Sequence, residues 1–285
     1  MLSLPFPHQK NQSLASFSTM KVGGPAQYFT VAKTLEEMLE RVSFLIKEGI
    51  PFFVLGKGSN TVFDDRGFAG VVILNQIDYL EQEGALFRVG SGYSFPRLGQ
   101  ISAKQGFTGL EFAAGIPATV GGAIYMNAGA NGQDVSQTLK SVLFVDTELR
   151  KITDFEFSYR HSLFHKMRGA IVEATFELKE MAFAKEKQKE LLQYRLKTQP
   201  YGENSCGCVF RNPEGEVAGR LIEQCGLKGK QIGGARISEL HANFIVNQGG
   251  SAEDVRKLIR EVQEKIYQET GLILEEEIRF IPYEF

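Results

Sequence analysis

The glycines of this 285-residue chain gather in a few loops instead of spreading evenly, and this distribution is the strongest constraint on its fold. Thirty glycines occur, with dense groups at Gly56/Gly58, at Gly90/Gly92 and from Gly115 to Gly132. Glycine is favoured where the backbone turns tightly or comes close to a ligand. A purely structural protein is disfavoured, because such segments cost chain entropy and build little core.

Composition limits the partners that such loops can serve. The chain is 43% hydrophobic and 23% charged, which is typical of a globular protein of two or three packed units. A formal net charge of −2 gives no field that would gather nucleic acid or anionic lipid. No apolar run approaches the ~20 residues that span a bilayer, no secretory leader pattern is present, and three cysteines are too few for a disulfide scaffold. We therefore expect a cytoplasmic protein that acts on small molecules, with no nucleic-acid or membrane partner. We also expect a monomer, although nothing in the composition bears on oligomeric state.

Hydrophobic periodicity and capping residues predict an α+β fold. Thr34 and Glu37 form a capping-box pattern before an amphipathic helix, which Gly49 and Pro51 end. Short apolar runs and further periodic segments predict strands at 52–55, 71–74, 86–89, 142–145, 171–178 and 273–281, and helices at 96–105, 185–197 and 251–271. Changes of pattern along the chain then divide it into three parts, which are residues 1–80, 81–196 and 197–272. The C-terminal strand, 273–285, is expected to return to the first part.

The first candidate site is a glycine loop between two predicted strands, Gly56-Lys57-Gly58-Ser59-Asn60. Small residues allow successive backbone N–H groups to point into one concavity and hold a diphosphate. A plain tight turn is the alternative, since the spacing matches neither a P-loop nor the dinucleotide fingerprint.

The second candidate is the stretch from Gly109 to Gly129, in which apolar and small residues alternate with no charge after Glu111. Such a segment can wrap a large apolar ring. The alternative is a packing surface made of small residues.

The third candidate surrounds the cysteines of the segment Ser205 to Pro213. A metal-binding role for Cys206 and Cys208 is disfavoured, because no further cysteine or histidine lies at zinc-finger spacing. A thiol that acts as an acid, as a nucleophile or only as a small buried side chain remains open.

Two further groups carry weaker signals. His161 and His165 could hold a metal on a helix, but their apolar neighbours favour partly buried structural histidines. In the run Glu275–Glu277, alternate carboxylates share a strand face, and an acidic run is usually just a solvated surface.

Taken in order, seven segments resemble the MurB family, the UDP-N-acetylenolpyruvoylglucosamine reductases. They are Lys21 to Ala26, Gly56 to Asn60, Gly109 to Gly129, Tyr159-Arg160, Cys208 to Pro213, Gly219 to Gly234 and Glu277 to Arg279. The similarity covers nearly the whole chain, and seven segments in the family's order are far more specific than one glycine loop.

The resemblance implies an FAD-binding fold of the vanillyl-alcohol-oxidase type built from the first two parts, with a separate α+β substrate-binding domain as the third. It implies FAD as cofactor, NADPH as co-substrate and UDP-N-acetylglucosamine enolpyruvate as substrate. Arg160 and Cys208 are only 48 positions apart, which resembles the family's shorter second type without a tyrosine-bearing loop.

The resemblance also assigns residues. It places Arg160, Cys208 and Glu277 in the three catalytic positions, with Cys208 protonating the substrate and the other two stabilising an enolate. The positions that would contact FAD are Gly56, Lys57, Gly58, Ser59, Asn60, Ala114, Gly115, Thr119, Val120, Gly121 and Gly122. Those that would contact substrate are Tyr125, Asn212 and Lys228, and no metal is implied.

Three residues depart from the family pattern. Cys208 stands where serine is usual, Lys57 where glycine is usual and Glu276 where proline is common. A thiol is a far stronger acid than a serine hydroxyl, so the first departure bears directly on proton transfer.

Two rival functions remain. An oxidase or dehydrogenase on the same flavin fold would pass electrons to oxygen or to a partner protein, but it needs no enolate-stabilising groups. A non-catalytic sensor of flavin or nucleotide sugar would bind its ligand without oxidising NADPH.

Overall fold

The computed structural model describes residues 3–284, so residues 1, 2 and 285, at the ends of two predicted ranges, lie outside the described residues. The helices are α1 (Leu35–Lys47), α2 (Phe95–Lys104), α3 (Val120–Tyr125), α4 (Ala184–Thr198), α5 (Ala218–Gln224) and α6 (Ala252–Thr270). The strands are β1 (Gln9–Ser13), β2 (Pro25–Ala32), β3 (Phe52–Leu55), β4 (Thr61–Phe63), β5 (Phe68–Asn75), β6 (Leu80–Glu83), β7 (Leu86–Gly90), β8 (Phe107–Thr108), β9 (Gly129–Ala130), β10 (Gln133–Asp134), β11 (Leu139–Val145), β12 (Leu149–Ile152), β13 (Phe157–Ser158), β14 (His161–Ser162), β15 (Ala170–Glu177), β16 (Lys179–Glu180), β17 (Ser205–Cys208), β18 (Gln231–Ile232), β19 (Ala235–Ile237), β20 (Phe244–Asn247) and β21 (Arg279–Ile281). Within residues 3–284, no helix is both long enough and apolar enough to cross a bilayer.

The chain folds into two compact units, each assembled from segments that are distant in sequence. The first unit comprises Tyr28–Lys57 and Gly70–Arg195 with the described residues up to Gln9. The second comprises Lys10–Gln27, Gly58–Ala69 and the described chain from Leu196 onward. The predicted division at 80, 196 and 272 remains a prediction, whereas the mixture of helices with largely antiparallel sheets is the α+β fold that was expected.

The first unit contains two hydrophobic clusters. One lies under the antiparallel sheet β12-β11-β15-β7-β6, where α2 and α3 cover residues such as Phe87, Phe112 and Phe176. The other lies under α1, whose Met38, Val42 and Leu45 recur at helical spacing and pack with the parallel strands β3 and β5. Burying this apolar stripe, more than helix propensity, is what keeps a 13-residue helix folded.

The second unit is built around α6. Val255, Leu258, Ile259, Val262 and Ile266 form its buried stripe and join the core under the sheet β17-β20-β19-β18. The helix ends follow the sequence signals. Ser251 and Asp254 form a reciprocal capping box, and Gly271 ends the helix with a φ of 72°.

The predicted helices and most predicted strands are confirmed, but the strand predicted over 273–281 is wrong for its first six residues. Only Arg279–Ile281 forms a strand, which pairs in parallel with β4. Before it, Glu276 makes an isolated bridge to Phe210, so the chain changes partner within the predicted strand. The sequence could not show this change, because both partners lie far away along the chain.

Candidate functional site

Within the first unit, the start of the predicted diphosphate loop meets the second glycine-rich segment. A side chain at Gly56 would place its Cβ 2.5 Å from the Thr119 Oγ1, so this close approach requires glycine. Thr119 caps α3 by accepting from the Gly122 N–H at 3.3 Å. The fold thus brings together two segments that are about 60 positions apart and that were both predicted to contact cofactor.

The other predicted cofactor contacts of this glycine-rich segment differ in burial and in backbone conformation. The Gly121 N–H donates to the Ser91 carbonyl at 2.8 Å, and a Cβ there would crowd the Ser91 side chain. Gly122 is exposed and Gly115 has a φ of 77°. Ala114 and Val120 are buried. Their contact with the cofactor remains a prediction, and it would involve little more than their backbone atoms.

Glu111 is fully buried in the turn that precedes Gly115. Burial disfavours its charge, but the Thr108 hydroxyl and the Gly109 N–H donate to it, and Lys187 lies 3.3 Å away. These donors outweigh the burial, so the pKa of Glu111 lies below its ordinary value. The carboxylate is therefore a structural anchor of the glycine-rich segment.

The end of the predicted diphosphate loop, Gly58 to Asn60, lies in the second unit. Gly58 has a φ of 65°, and a Cβ there would stand 2.2 Å from the Phe17 carbonyl oxygen. Among the backbone hydrogen bonds of residues 3–284, none outside helices and strands has the N–H of Lys57, Gly58 or Ser59 as donor. Crowded glycines and uncommitted N–H groups fit a bound diphosphate, as in other anion-binding backbone concavities.

Arg160 occupies the tip of a tight hairpin in the first unit. β13 and β14 pair Ser158 with His161, which leaves Tyr159 and Arg160 as the two turn residues. Arg160 has a φ of 56°, a conformation that costs a non-glycine residue roughly 1–2 kcal/mol. Its guanidinium stacks 5.0 Å from the Tyr159 ring centroid and donates to the Gly129 carbonyl at 3.0 Å. Such local strain is typical of functional positions and holds the cation in place.

The segment after α3 supports this hairpin. The Asn127 side chain donates to the Ser158 carbonyl at 3.1 Å and accepts from the Ser136 N–H. The Ser162 hydroxyl donates to the carbonyl of Tyr125 at 2.7 Å. Sequence analysis missed this supporting role, although the positive φ that Asn127 tolerates is a property for which asparagine is known.

His161 and His165 do not share a helix. His161 lies in β14 and His165 in a short 3-10 turn, with their rings stacked 4.6 Å apart. His165 also stacks on Tyr125. Within residues 3–284, no group of three or more His, Cys, Asp or Glu side chains is placed to hold a metal ion.

In the second unit, a β-bulge separates the two cysteines of β17. Ser205 pairs with Val246 and Cys208 with Phe244, so three steps on β17 oppose two on β20. The extra residue falls at Cys206-Gly207, where Gly207 has a φ of 81°. A bulge reverses the usual alternation of side chains. Cys206 consequently enters the core while Cys208 is half-buried at its surface.

The two thiols therefore differ chemically. Burial raises the pKa of Cys206 to about 12, so this thiol is neutral at physiological pH. Cys206 is a small core residue, one of the possibilities left open by the sequence. Cys208 remains the candidate for chemistry.

Glu277 lies beside Cys208 through the backbone. Its N–H donates to the carbonyl of Val209, the residue after Cys208, at 2.7 Å. Asn60 joins the same cluster, because its side-chain amide donates to the Glu277 carbonyl at 3.1 Å and its own carbonyl accepts from the Arg279 N–H. The second unit thus brings together Cys208, Glu277 and the end of the glycine loop.

The predicted substrate contacts Asn212 and Lys228 have partners of their own. The Asn212 side chain accepts from the N–H of Ala218 at the start of α5. The Lys228 Nζ lies 2.7 Å from a Glu223 carboxylate oxygen, in a surface pair of a kind worth about 0–1 kcal/mol. Releasing Lys228 toward an anionic ligand would therefore cost little.

The structure also accounts for Glu276. The hydrogen bonds Arg211 N–H to Glu275 and Glu277 N–H to Val209 lie on either side of its bridge with Phe210. The N–H of Glu276 is not used in this pairing, so a proline at this position would lose none of its hydrogen bonds. Partial burial raises the pKa of Glu276, and the charges of Arg256 and Arg260 oppose that shift. Lys57 is exposed, and nothing in the structure explains its replacement of glycine.

Comparisons with known proteins find relatives that cover nearly the whole chain. Residues 26–148 match the FAD binding domain model, and residues 199–281 match the C-terminal domain model of UDP-N-acetylenolpyruvoylglucosamine reductase. UDP-N-acetylenolpyruvoylglucosamine reductase of Protochlamydia amoebophila (strain UWE25) is 50% identical, across 99% of this chain and 97% of its own. That of Chlamydia pneumoniae is 46% identical, across 99% and 95%. The crystal structure of MurB from Thermus caldophilus superposes with a TM-score of 0.84 at 36% identity, across 97% of this chain and 100% of its own.

Proposed function

The chain belongs to the UDP-N-acetylenolpyruvoylglucosamine reductases, FAD-dependent oxidoreductases of peptidoglycan synthesis, and on that premise we propose that it reduces UDP-N-acetylglucosamine enolpyruvate with NADPH, using Arg160, Cys208 and Glu277. The observation that carries the residue assignment is the bulge at Gly207, which takes Cys208 out of the core next to Val209, whose carbonyl accepts from the Glu277 N–H. A bulge that redirects one side chain is characteristic of strands next to active sites.

Glycines and backbone N–H groups would hold the cofactor. In the first unit, Gly56 and Gly122 leave the Thr119 hydroxyl uncrowded, and Gly121 does the same beside Ser91. In the second, the N–H groups of Gly58 and Ser59 are available to a diphosphate. FAD, when bound, would take a hydride from NADPH and supply it to the terminal vinyl carbon of the substrate.

Arg160 and Glu277 would stabilise the charge that develops on the substrate. Hydride addition to the vinyl group places negative charge on the adjacent carboxylate as an enolate. Arg160 offers a fixed cation, because the hairpin, the Tyr159 ring and the Gly129 carbonyl hold its guanidinium before substrate arrives. A donor held ready in this way is worth about 3–4 kcal/mol in the transition state.

Cys208 would complete the reaction by protonating the carbon that bears the ether oxygen. The product is then UDP-N-acetylmuramate, with its new proton delivered from one face. A thiol can act as this general acid, and it loses the capacity when it ionises at alkaline pH. Glu277 can also act as a donor only while it is protonated.

Substrate would be held by Tyr125, Asn212 and Lys228. Lys228 can exchange its exposed partner Glu223 for a phosphate oxygen of the nucleotide sugar at small cost. Tyr125 presents a half-buried ring that already stacks on His165.

The test is an anaerobic visible spectrum of the purified holoenzyme. Addition of NADPH should bleach the flavin band, and addition of the enolpyruvyl nucleotide sugar should restore it with one equivalent of product. A flavin that bleaches but recovers only with oxygen would identify an oxidase instead. A protein that binds flavin or nucleotide sugar without oxidising NADPH would be a sensor.

A further inference from the structure

The segment before Lys21 is hydrogen-bonded to the end of the glycine loop. Thr19 donates twice to one acceptor, because its N–H lies 3.1 Å and its hydroxyl 3.2 Å from the carbonyl oxygen of Gly58. Both residues belong to the second unit. Two donors on one carbonyl oxygen use both of its lone pairs and fix the direction in which it points.

The direction of this carbonyl determines the direction of the next N–H. The peptide bond between Gly58 and Ser59 is trans and planar, since no described peptide bond is cis. The Ser59 N–H therefore points opposite to the Gly58 carbonyl oxygen and away from Thr19. That N–H is one of those with no backbone acceptor outside helices and strands.

The residues just before Thr19 also contact the glycine loop, but at other points. The Phe17 carbonyl oxygen occupies the space that a Cβ at Gly58 would need. The Ser18 hydroxyl donates to the carbonyl of Thr61, at 3.3 Å, just after the loop. Residues 17–19 thus run alongside the loop, but of these three only Thr19 donates to the Gly58 carbonyl, which belongs to the same peptide group as the Ser59 N–H.

We infer that Thr19 is a positioning residue for the cofactor: by holding the Gly58 carbonyl, it aims the Ser59 N–H at the diphosphate of FAD. The inference rests on the proposed role of the glycine loop and goes beyond it by naming a residue outside the loop. An N–H that donates to a phosphate oxygen makes a charge-assisted hydrogen bond, which is shorter and roughly twice as strong as a neutral one.

The test compares Thr19→Val, which keeps the side-chain shape but removes the hydroxyl donor, with Thr19→Ser, which keeps the donor. Loss of one such hydrogen bond should raise the dissociation constant of FAD about 3- to 10-fold in Thr19→Val. Thr19→Ser should stay within about twofold. The ³¹P NMR spectrum of FAD in the reconstituted holoenzyme should show a shifted diphosphate resonance only in Thr19→Val. Thr19→Ala replaces the valine variant if that variant does not fold, with the same expected loss.

Ser18→Ala is the matched control, because the Ser18 hydroxyl donates to the Thr61 carbonyl and accepts from the Met20 N–H in the same segment but makes no hydrogen bond to Gly58. It should lower the melting temperature of the apoprotein but leave the ³¹P spectrum unchanged. The inference is overturned if Thr19→Val binds FAD as tightly as the wild type, or if Ser18→Ala changes affinity and spectrum equally. Gly58→Ala separates the two proposals: a large loss of FAD there, with none in Thr19→Val, would refute only the role of Thr19.

Discussion

Selective alkylation of Cys208 should inactivate this enzyme, and the structure explains why Cys206, two residues away, should not react. With its pKa raised to about 12, Cys206 is ionised in only about one molecule in 10,000 at pH 8. A thiol of ordinary pKa, about 8.5, is about one-quarter ionised at that pH. Since the thiolate is the nucleophile, Cys206 should react roughly a thousand times more slowly than a thiol of ordinary pKa, and its lack of contact with solvent should slow it further.

Cys225 is the other half-buried thiol and is therefore the natural control. The assay treats wild type, Cys208→Ser and Cys225→Ser with iodoacetamide at pH 8 and follows both NADPH oxidation and the modified peptides by mass spectrometry. Wild type and Cys225→Ser should lose activity at the same rate, in step with modification of Cys208. Cys208→Ser should keep whatever activity it has, and Cys206 should remain unmodified until the protein unfolds.

Two results would refute this reasoning. If Cys208→Ser is inactivated as fast as the wild type, another group is responsible. If wild type that is fully modified at Cys208 still turns over, the thiol is not near the reacting atoms. Early labelling of Cys206 would show instead that the β17 bulge does not bury it in solution.

Four further predictions concern activity and stability. Arg160→Lys keeps the charge but loses the planar guanidinium, so kcat should fall about 100- to 1,000-fold while the melting temperature stays unchanged. If steady-state kinetics show only a small fall in kcat, Arg160 does not stabilise the enolate. With a thiol as proton donor, kcat/KM of the wild type should fall at alkaline pH, and Cys208→Ser should remove this fall because a serine hydroxyl does not ionise there; an unchanged pH profile in the variant would assign the fall to another group. Ile259→Ala removes a fully buried side chain from α6 and should lower the free energy of unfolding by about 2–5 kcal/mol in urea titrations, whereas a loss under 1 kcal/mol would mean that the core relaxes. Because the folded-state pKa of Glu111 lies below 4.5, its ionisation stabilises the fold above that pH, and this contribution is lost as pH falls through the lowered value. Glu111→Gln should therefore lower the melting temperature at pH 7 and reduce the dependence of the melting temperature on pH below about 4.5. If the melting temperatures of variant and wild type change with pH in parallel, the lowered pKa is wrong.

Much of the fold follows from neighbouring residues in the sequence. Helix α6 begins at Ser251 and ends at Gly271 because capping side chains and a left-handed glycine are local signals. Strands β3 and β5 follow from short apolar runs, and the turn after β3, with the positive φ of Gly58, follows from the clustered glycines. These features need only periodicity and the conformational freedom of single residues.

Features that depend on distant partners could not be obtained in this way. Residues 273–281 have the pattern of one strand, yet only the tertiary fold decides that Glu276 meets Phe210 and that Arg279–Ile281 pair with β4. The resemblance to the family assigned roles to Cys208 and Glu277, but it did not show the hydrogen bond from the Glu277 N–H to the Val209 carbonyl that brings their segments together.

The sequence by itself determined the long helices with their capping residues, several of the strands and the residue types that chemistry would need. Only the tertiary structure decided that one extra residue at Gly207 separates Cys208 from Cys206, that Thr19 holds the glycine loop from outside it, and that Asn60, the last residue of that loop, donates to the Glu277 carbonyl. The physical reason is that a strand's register and its long-range hydrogen bonds are properties of two chain segments together. Neither segment alone specifies which side chain enters the core and which one stays at the surface.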